Sequence, residues 1–145
     1  MSTLTLDTHA QAAAPLLHGS KVTRWAGRIM TGLVTAFLLF DASIKLLRLD
    51  MVEQGSRELG YPPESMFGIG LVLLACLITY LIPRTAVLGA VLLTGYLGGA
   101  IATHVRVGNP LFSHVLFPIY VAALIWGGLY LRDARVRGLL APRPR

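Results

Sequence analysis

Thiol chemistry is nearly absent from this sequence. Cys76 is its one cysteine, so an intrachain disulfide is excluded and no CxxC pair exists for thiol exchange. Set in the apolar stretch LLACLIT, it reads as a small hydrophobe. Charge is scarce as well: Asp, Glu, Lys and Arg make up 14% of the chain, and only seven residues are acidic. A soluble domain cannot cover its surface from so thin a supply. No nucleotide fingerprint is present either, because GLVLLACL and GYLGG lack the strand–turn–helix setting that GxGxxG requires. Metal-ligand spacing is missing too: His104 and His114 stand apart with no cysteine or carboxylate placed beside them. A metal centre is not expected, and no residue is assigned a catalytic role.

What the sequence does hold is apolar length. Hydrophobic residues make up 54% of the 145, with a mean hydropathy of +0.65. Four long apolar runs stand out, at about 25–47, 66–82, 85–103 and 110–131. Each approaches the roughly 20 residues a helix needs to cross ~30 Å of hydrocarbon. GIGLVLLACLITYLI and VLGAVLLTGYLGGAIA carry no polar stripe, which a soluble bundle would need on every helix. In lipid the backbone must pair internally, so helix is expected despite the β-branched residues. The fold class is all-α, an integral membrane four-helix bundle.

The net charge of +6 and pI near 10.1 raise the question of nucleic acid until the basic residues are located. Lys21, Arg24 and Arg28 precede the first run, Arg84 lies between the second and third, and Arg132, Arg135, Arg137, Arg143 and Arg145 follow the fourth. That puts nine of the thirteen basic residues on one side. Arg48, Arg57 and Arg106 fall on the other, and Lys45 sits inside the first run. The positive-inside rule then makes both termini cytoplasmic. The basic excess is a topology signal with some attraction to anionic lipid; nucleic acid is not expected as a partner. Residues 1–23 read as a disordered cytoplasmic tail without the pattern of a cleaved signal peptide, and 138–145 as a basic cytoplasmic tail. His9 and His18 in the first tail receive no role.

The connections are unequal. Residues 48–65 form a long outer loop, in which LDMVEQGSRELGY reads as a short interfacial helix and Pro62 with Pro63 break it. Short links make the later three helices antiparallel neighbours. Close approach of helices in lipid depends on small residues, and Gly95 with Gly99 have the small-xxx-small spacing for it.

FLLFDASIKLL is the exception to the apolar rule. Asp41 and Lys45 share a helix face at i and i+4, and Lys45 could reach the headgroups unaided by snorkelling. Asp41 is harder to explain, since an ionised group in the span costs about 2.5–3.5 kcal/mol and normally faces a bundle interior or a wet cavity. THVRVGNPLFSHVLFP supplies partners at the same depth. His104 and Arg106 close the third run, His114 lies just inside the fourth, and Asn109 with Pro110 has the pattern of a cap and first helical position. Pro118 withholds the N–H that the His114 carbonyl would accept, so a kink is expected. Asp41, Lys45, His104, Arg106 and His114 thus form a polar layer near the outer face. Three readings fit it: a network fixing which helices meet, a pocket for a lipid or a quinone head group, or a transport path, which four helices would have to complete by dimerising.

GRIMTGLVTAFLLFDASIKLL, ELGYPPESM, GYLGGAIATHVRVGNPLFSHVLFPIY and WGGLYLRD together resemble the DoxX-like membrane proteins. The resemblance runs over residues 24–137, with GGAIATHVRVGNPLFSH its most specific part. It implies a small four-helix protein of the bacterial inner membrane. The family takes its name from a membrane subunit associated with thiosulfate:quinone oxidoreductase, and other relatives are linked to oxidative-stress complexes. No cofactor is expected from the residues themselves; the resemblance leaves a quinone as the candidate, and beside the bilayer itself a redox role would need a partner protein, as transport would need a second copy of the chain. Two roles follow: a non-catalytic accessory membrane protein with an outer polar pocket, or the membrane subunit of a quinone-linked oxidoreductase.

Overall fold

The computed structural model describes residues 21–140, which are all-α with no strand among them. Six α-helices run in order: α1 Lys21–Leu46, α2 Asp50–Glu58, α3 Ser65–Leu81, α4 Ala86–Arg106, α5 Phe117–Arg132 and α6 Ala134–Leu140, with a π-helical turn Leu111–Val115 leading into α5. The segments read as tails are helical as far as the description reaches: residues 21–23 belong to α1 and 138–140 to α6. Residues 1–20 and 141–145, with His9 and His18, lie outside the described residues.

Three helical segments are long and apolar enough to cross a membrane: Lys21–Leu46, Ala86–Arg106 and Leu111–Arg132. α3 is equally apolar in character but has 17 residues. α1 packs on both α5 and α3, α3 on α4, and α4 on α5, which closes a ring around one core. Val34, Leu38, Leu73, Leu77, Leu93, Ile125 and Leu129 fill it. Outside the ring, Trp25, Leu33, Phe40, Leu71, Val72, Leu88, Val91 and Ile119 are exposed. Apolar patches of this extent are not tolerated in water, and their solvent here is lipid. The chain is a multi-pass helical membrane protein.

The close contacts between helices fall on glycines, though not on Gly95 and Gly99. A Cβ at Gly27 would stand 2.9 Å from Leu131 Cβ and 3.0 Å from the Gly128 carbonyl, where α1 crosses α5. A Cβ at Gly70 would stand 2.9 Å from Lys45 Cβ, where α3 meets α1, and one at Gly89 would run into the backbone of Tyr80, where α4 meets α3. At Gly95 and Gly99 a Cβ meets no atom of the described residues within 4 Å. Small-xxx-small spacing permits close approach but does not say which way it faces.

Tyr80 pins the centre. It is fully buried, its hydroxyl donates to the Ile125 carbonyl at 3.1 Å, and the Arg132 guanidinium lies 5.1 Å from its ring centroid. One side chain of α3 thus ties into α5 at two points. The basic end is closed by α6. Asp133 breaks α5 with an extended backbone and accepts from the Arg135 N–H at 2.9 Å, the N-cap that starts α6. Arg137 folds back to donate to the Tyr130 and Leu131 carbonyls at 3.1 and 3.0 Å, satisfying the end of α5.

Candidate functional site

At the α2 end the ring does not fill. A cavity of about 440 Å³ opens between α1, α3, α4 and α5 under the loop that follows α2, within the ~300–1,000 Å³ range of small-molecule sites. Asp41, Lys45, His104 and His114 are in its lining, with Tyr61, Tyr96, Gly99, Thr103, Ser113 and Phe117. Arg106 is not.

Two glycine turns build the site. α4 ends in a Schellman motif: Gly108 takes φ 72, its N–H donates to the Val105 carbonyl at 3.1 Å, and the Asn109 N–H donates to the His104 carbonyl at 3.0 Å. The reversal returns Asn109 onto α4, where its Nδ2 lies 2.8 Å from His104 Nδ1. Asn109 therefore holds a histidine and does not cap the fourth run, which starts instead as a π-helical turn. An amide N–H can only donate, so the His104 ring accepts at Nδ1 and keeps its proton on the other nitrogen.

α2 ends in the same way. Gly60 takes φ 73, with Gly60 N–H donating to the Arg57 carbonyl and Tyr61 N–H to the Ser56 carbonyl, both at 2.9 Å. This aims Tyr61 across the cavity mouth to Thr103, with 2.9 Å between hydroxyls. Thr103 donates its proton to the Gly99 carbonyl at 2.9 Å, so Tyr61 is the donor in the pair. Arg106 sits above, donating to the Leu59 carbonyl at 2.6 Å with its guanidinium 5.4 Å from the Tyr61 ring. Its part is to fasten the roof, residues 59–61, from outside the cavity.

The break near Pro118 takes the form of the π-helical turn. The Leu116 N–H reaches back five residues to the Leu111 carbonyl at 2.9 Å, and the Ile119 N–H restarts the helix on Leu116 at 3.0 Å. π-turns inside helices recur at functional sites, and this one carries His114. Its ring meets His104 edge-on, with centroids 5.5 Å apart, and Ser113 Oγ lies 2.8 Å from His114 Nδ1.

Opposite the histidines, Lys45 donates to Asp41 Oδ1. The side chains are 16% and 26% exposed, respectively, so the pair faces the cavity and is only partly wet. Removing the carboxylate leaves an ammonium unpaired there. For a fully buried pair that costs ~3–5 kcal/mol, and partial exposure lowers the figure. Asp41→Ala should therefore melt in detergent well below wild type and below Glu53→Ala, whose carboxylate is on the peripheral α2. Equal melting points for the two variants would remove the case for a bundle-facing pair.

Tyr96 and Thr103 were missed at the sequence level although the signal was there. Tyr96, Thr103 and His104 recur at helical spacing on one face of α4. Among the described residues no group of three or more His, Cys, Asp or Glu is placed to hold a metal.

The DoxX-like family model matches residues 29–128, more than half of the chain. The chain belongs to the DoxX-like family. The matched span of this DoxX-like protein includes every cavity-lining residue named above. No curated protein and no solved structure gives a match.

Proposed function

We propose that this DoxX-like protein is an accessory, non-catalytic protein of the bacterial inner membrane that holds the polar head of a lipid or a quinone in the cavity at its outer side. The observation that carries this reading is the cavity itself. A chain that only needed to fix helix pairing would bury the Asp41–Lys45 pair against its neighbours, whereas here the pair lines a cavity of about 440 Å³ together with His104 and His114. Ionisable groups facing such a space within a membrane helix bundle are a functional pattern.

The reading takes α3 as a fourth span. Its 17 residues rise ~26 Å, short of average hydrocarbon thickness by an amount that local thinning absorbs. Four spans place both termini in the cytoplasm with Lys21, Arg24, Arg28, Arg84, Arg132, Arg135 and Arg137, in line with the positive-inside rule. A membrane-impermeant maleimide applied to intact cells should label Arg57→Cys and leave Arg84→Cys unlabelled, with buried Cys76 giving little background. Labelling of the second variant from outside would reverse the topology.

The ligand is tested by purifying the protein in mild detergent and identifying the organic molecules that remain by mass spectrometry. A lipid or quinone at one per chain is the expected result, and none above the level carried by Asp41→Ala would count against the site. The second reading, a membrane subunit of a quinone-linked oxidoreductase, is favoured by the adjacent His104 and His114, whose ring N–H groups suit carbonyl oxygens. It needs a partner to deliver electrons. Loss of a quinone-reducing activity from membranes on deletion of the protein would select it, and unchanged activity would leave the accessory role.

A further inference from the structure

The cavity has a neighbour. A second hollow of about 270 Å³ runs along the outer surface between α1 and α5, with Leu33 and Leu124 in its walls, and it shares Phe37, Phe117 and Val121 with the cavity. Its lining is apolar apart from the Tyr120 hydroxyl. Phe37 and Phe117 meet edge to face there, with centroids 5.3 Å apart, and both rings are also exposed toward the lipid side. The two hollows thus adjoin across the Phe37–Phe117 pair, with polar groups on the cavity side and apolar ones on the groove side.

The walls of the cavity differ in how firmly they are held. Over the α2 end, residues 59–61 are fastened by the Arg106 and Tyr61 hydrogen bonds. On the α1/α5 side, at the level of the cavity, the wall is the edge-to-face contact of Phe37 with Phe117, two side chains whose rotation opens it without moving the α1–α5 crossing at Gly27 and Gly128. A chain lying in the groove would gain little by leaving lipid, since both are apolar. What the groove supplies is passage: a head can enter the cavity while its chain stays in apolar surroundings and is never drawn past Asp41 and Lys45.

We infer that the ligand enters sideways from the bilayer between α1 and α5, as an amphiphile with a single apolar chain that lies in the groove past Phe37 and Phe117 and an uncharged, hydrogen-bond-accepting head that lies among Asp41, His104 and His114. This rests on the reading of the cavity as a ligand site. One chain is specified because the groove lies between two helices in direct contact, which leaves width for one. An uncharged head is specified because Asp41 and Lys45 already neutralise each other, so a further charge would enter without a counterion. The head must accept because His104 offers a ring N–H. A quinone ring and the ester head of a monoacylglycerol both meet these terms.

The test uses the full chain in detergent with four probes: decylubiquinone, monodecanoylglycerol, and the counterpart of each with a methyl or acetyl group replacing the chain. Didecanoyl phosphatidylethanolamine serves as the two-chain comparison. Leu33→Trp and Tyr120→Trp each put bulk into the groove from exposed positions, Leu33 being 61% exposed, so the core is untouched and melting points should hold. Each variant should weaken binding of at least one chain-bearing probe by about tenfold or more and leave its chainless counterpart unchanged. Which pair responds distinguishes a quinone from a monoacyl lipid. Equal weakening of chain-bearing and chainless probes, or no weakening of either, would overturn the side entrance while leaving the cavity as a site. Binding of the two-chain lipid with the same sensitivity to both variants would overturn the single chain. Failure of every probe to bind wild type would remove the ligand reading and this inference with it.

Discussion

Replacing Gly89 with alanine is expected to lower the melting point of the protein in detergent more than any other single methyl group added to its helices. The added Cβ would stand 2.2 Å from Tyr80 N, 2.3 Å from Tyr80 Cα and 2.7 Å from the Thr79 carbonyl carbon. These are backbone atoms of α3, and no rotamer change moves them aside. The link cannot absorb the shift either. Pro83 and Arg84 turn the chain directly from α3 into α4, and Thr85 Oγ1 locks the corner by donating to the Thr79 carbonyl at 2.9 Å. Separating α3 from α4 would also carry Tyr80 away from the Ile125 carbonyl and from Arg132. Overpacking a core costs ~1–3 kcal/mol and occasionally more, and rigid backbone on the receiving side places this case at the top of that range. Gly95→Ala supplies the comparison. Its Cβ meets nothing among the described residues within 4 Å, and alanine is favoured over glycine in a helix interior by ~1 kcal/mol. Gly95→Ala should melt at or above wild type. Similar melting points for the two variants would mean that α3 and α4 do not approach at Gly89.

The contrast between those two glycines marks where the sequence stops being informative. Hydropathy locates helices because lipid demands paired backbones, and α1, α3, α4 and α5 fall close to the runs it outlines. The i, i+4 relation puts Lys45 beside Asp41 on any helix, and counting residues from the helix ends puts His104 and His114 at the same level. Rotation about the helix axis is another matter. In a soluble helix the polar stripe declares the outward face, but α4 and α5 meet lipid with apolar side chains as they meet each other, and the few polar residues of α4 mark its cavity face without telling which glycines point at a neighbour. Tertiary chain reversal is equally hidden. Asn109 has the local pattern of an N-cap, and it is the left-handed Gly108 that turns it back onto His104. Arg106, one turn from Thr103 on the same helix, looked like part of the polar layer and instead reaches out to Leu59, because α2 lies over that end of the bundle.

Gly99→Leu should abolish ligand retention without harm to the fold. Gly99 lies in the cavity wall on α4, one turn below Thr103, which donates to its carbonyl. A Cβ there meets no described atom within 4 Å, so a leucine side chain can be seated without displacing backbone, and the space it takes is the cavity. Leucine also favours helix over glycine by up to ~1 kcal/mol, which keeps the melting point level or raises it. Loss of binding then arises from volume alone, and a quinone or lipid that occupies the cavity should bind at least about tenfold more weakly. Gly98→Leu separates this from a general effect of adding leucine to α4. Gly98 is likewise open within 4 Å and is not in the cavity lining, so that variant should keep its ligand. If both variants retained ligand equally, the cavity would not be where it sits. If both lost it equally, α4 would be acting through a contact outside the cavity. Only loss in Gly99→Leu with retention in Gly98→Leu assigns the ligand to the space between Asp41 and the two histidines.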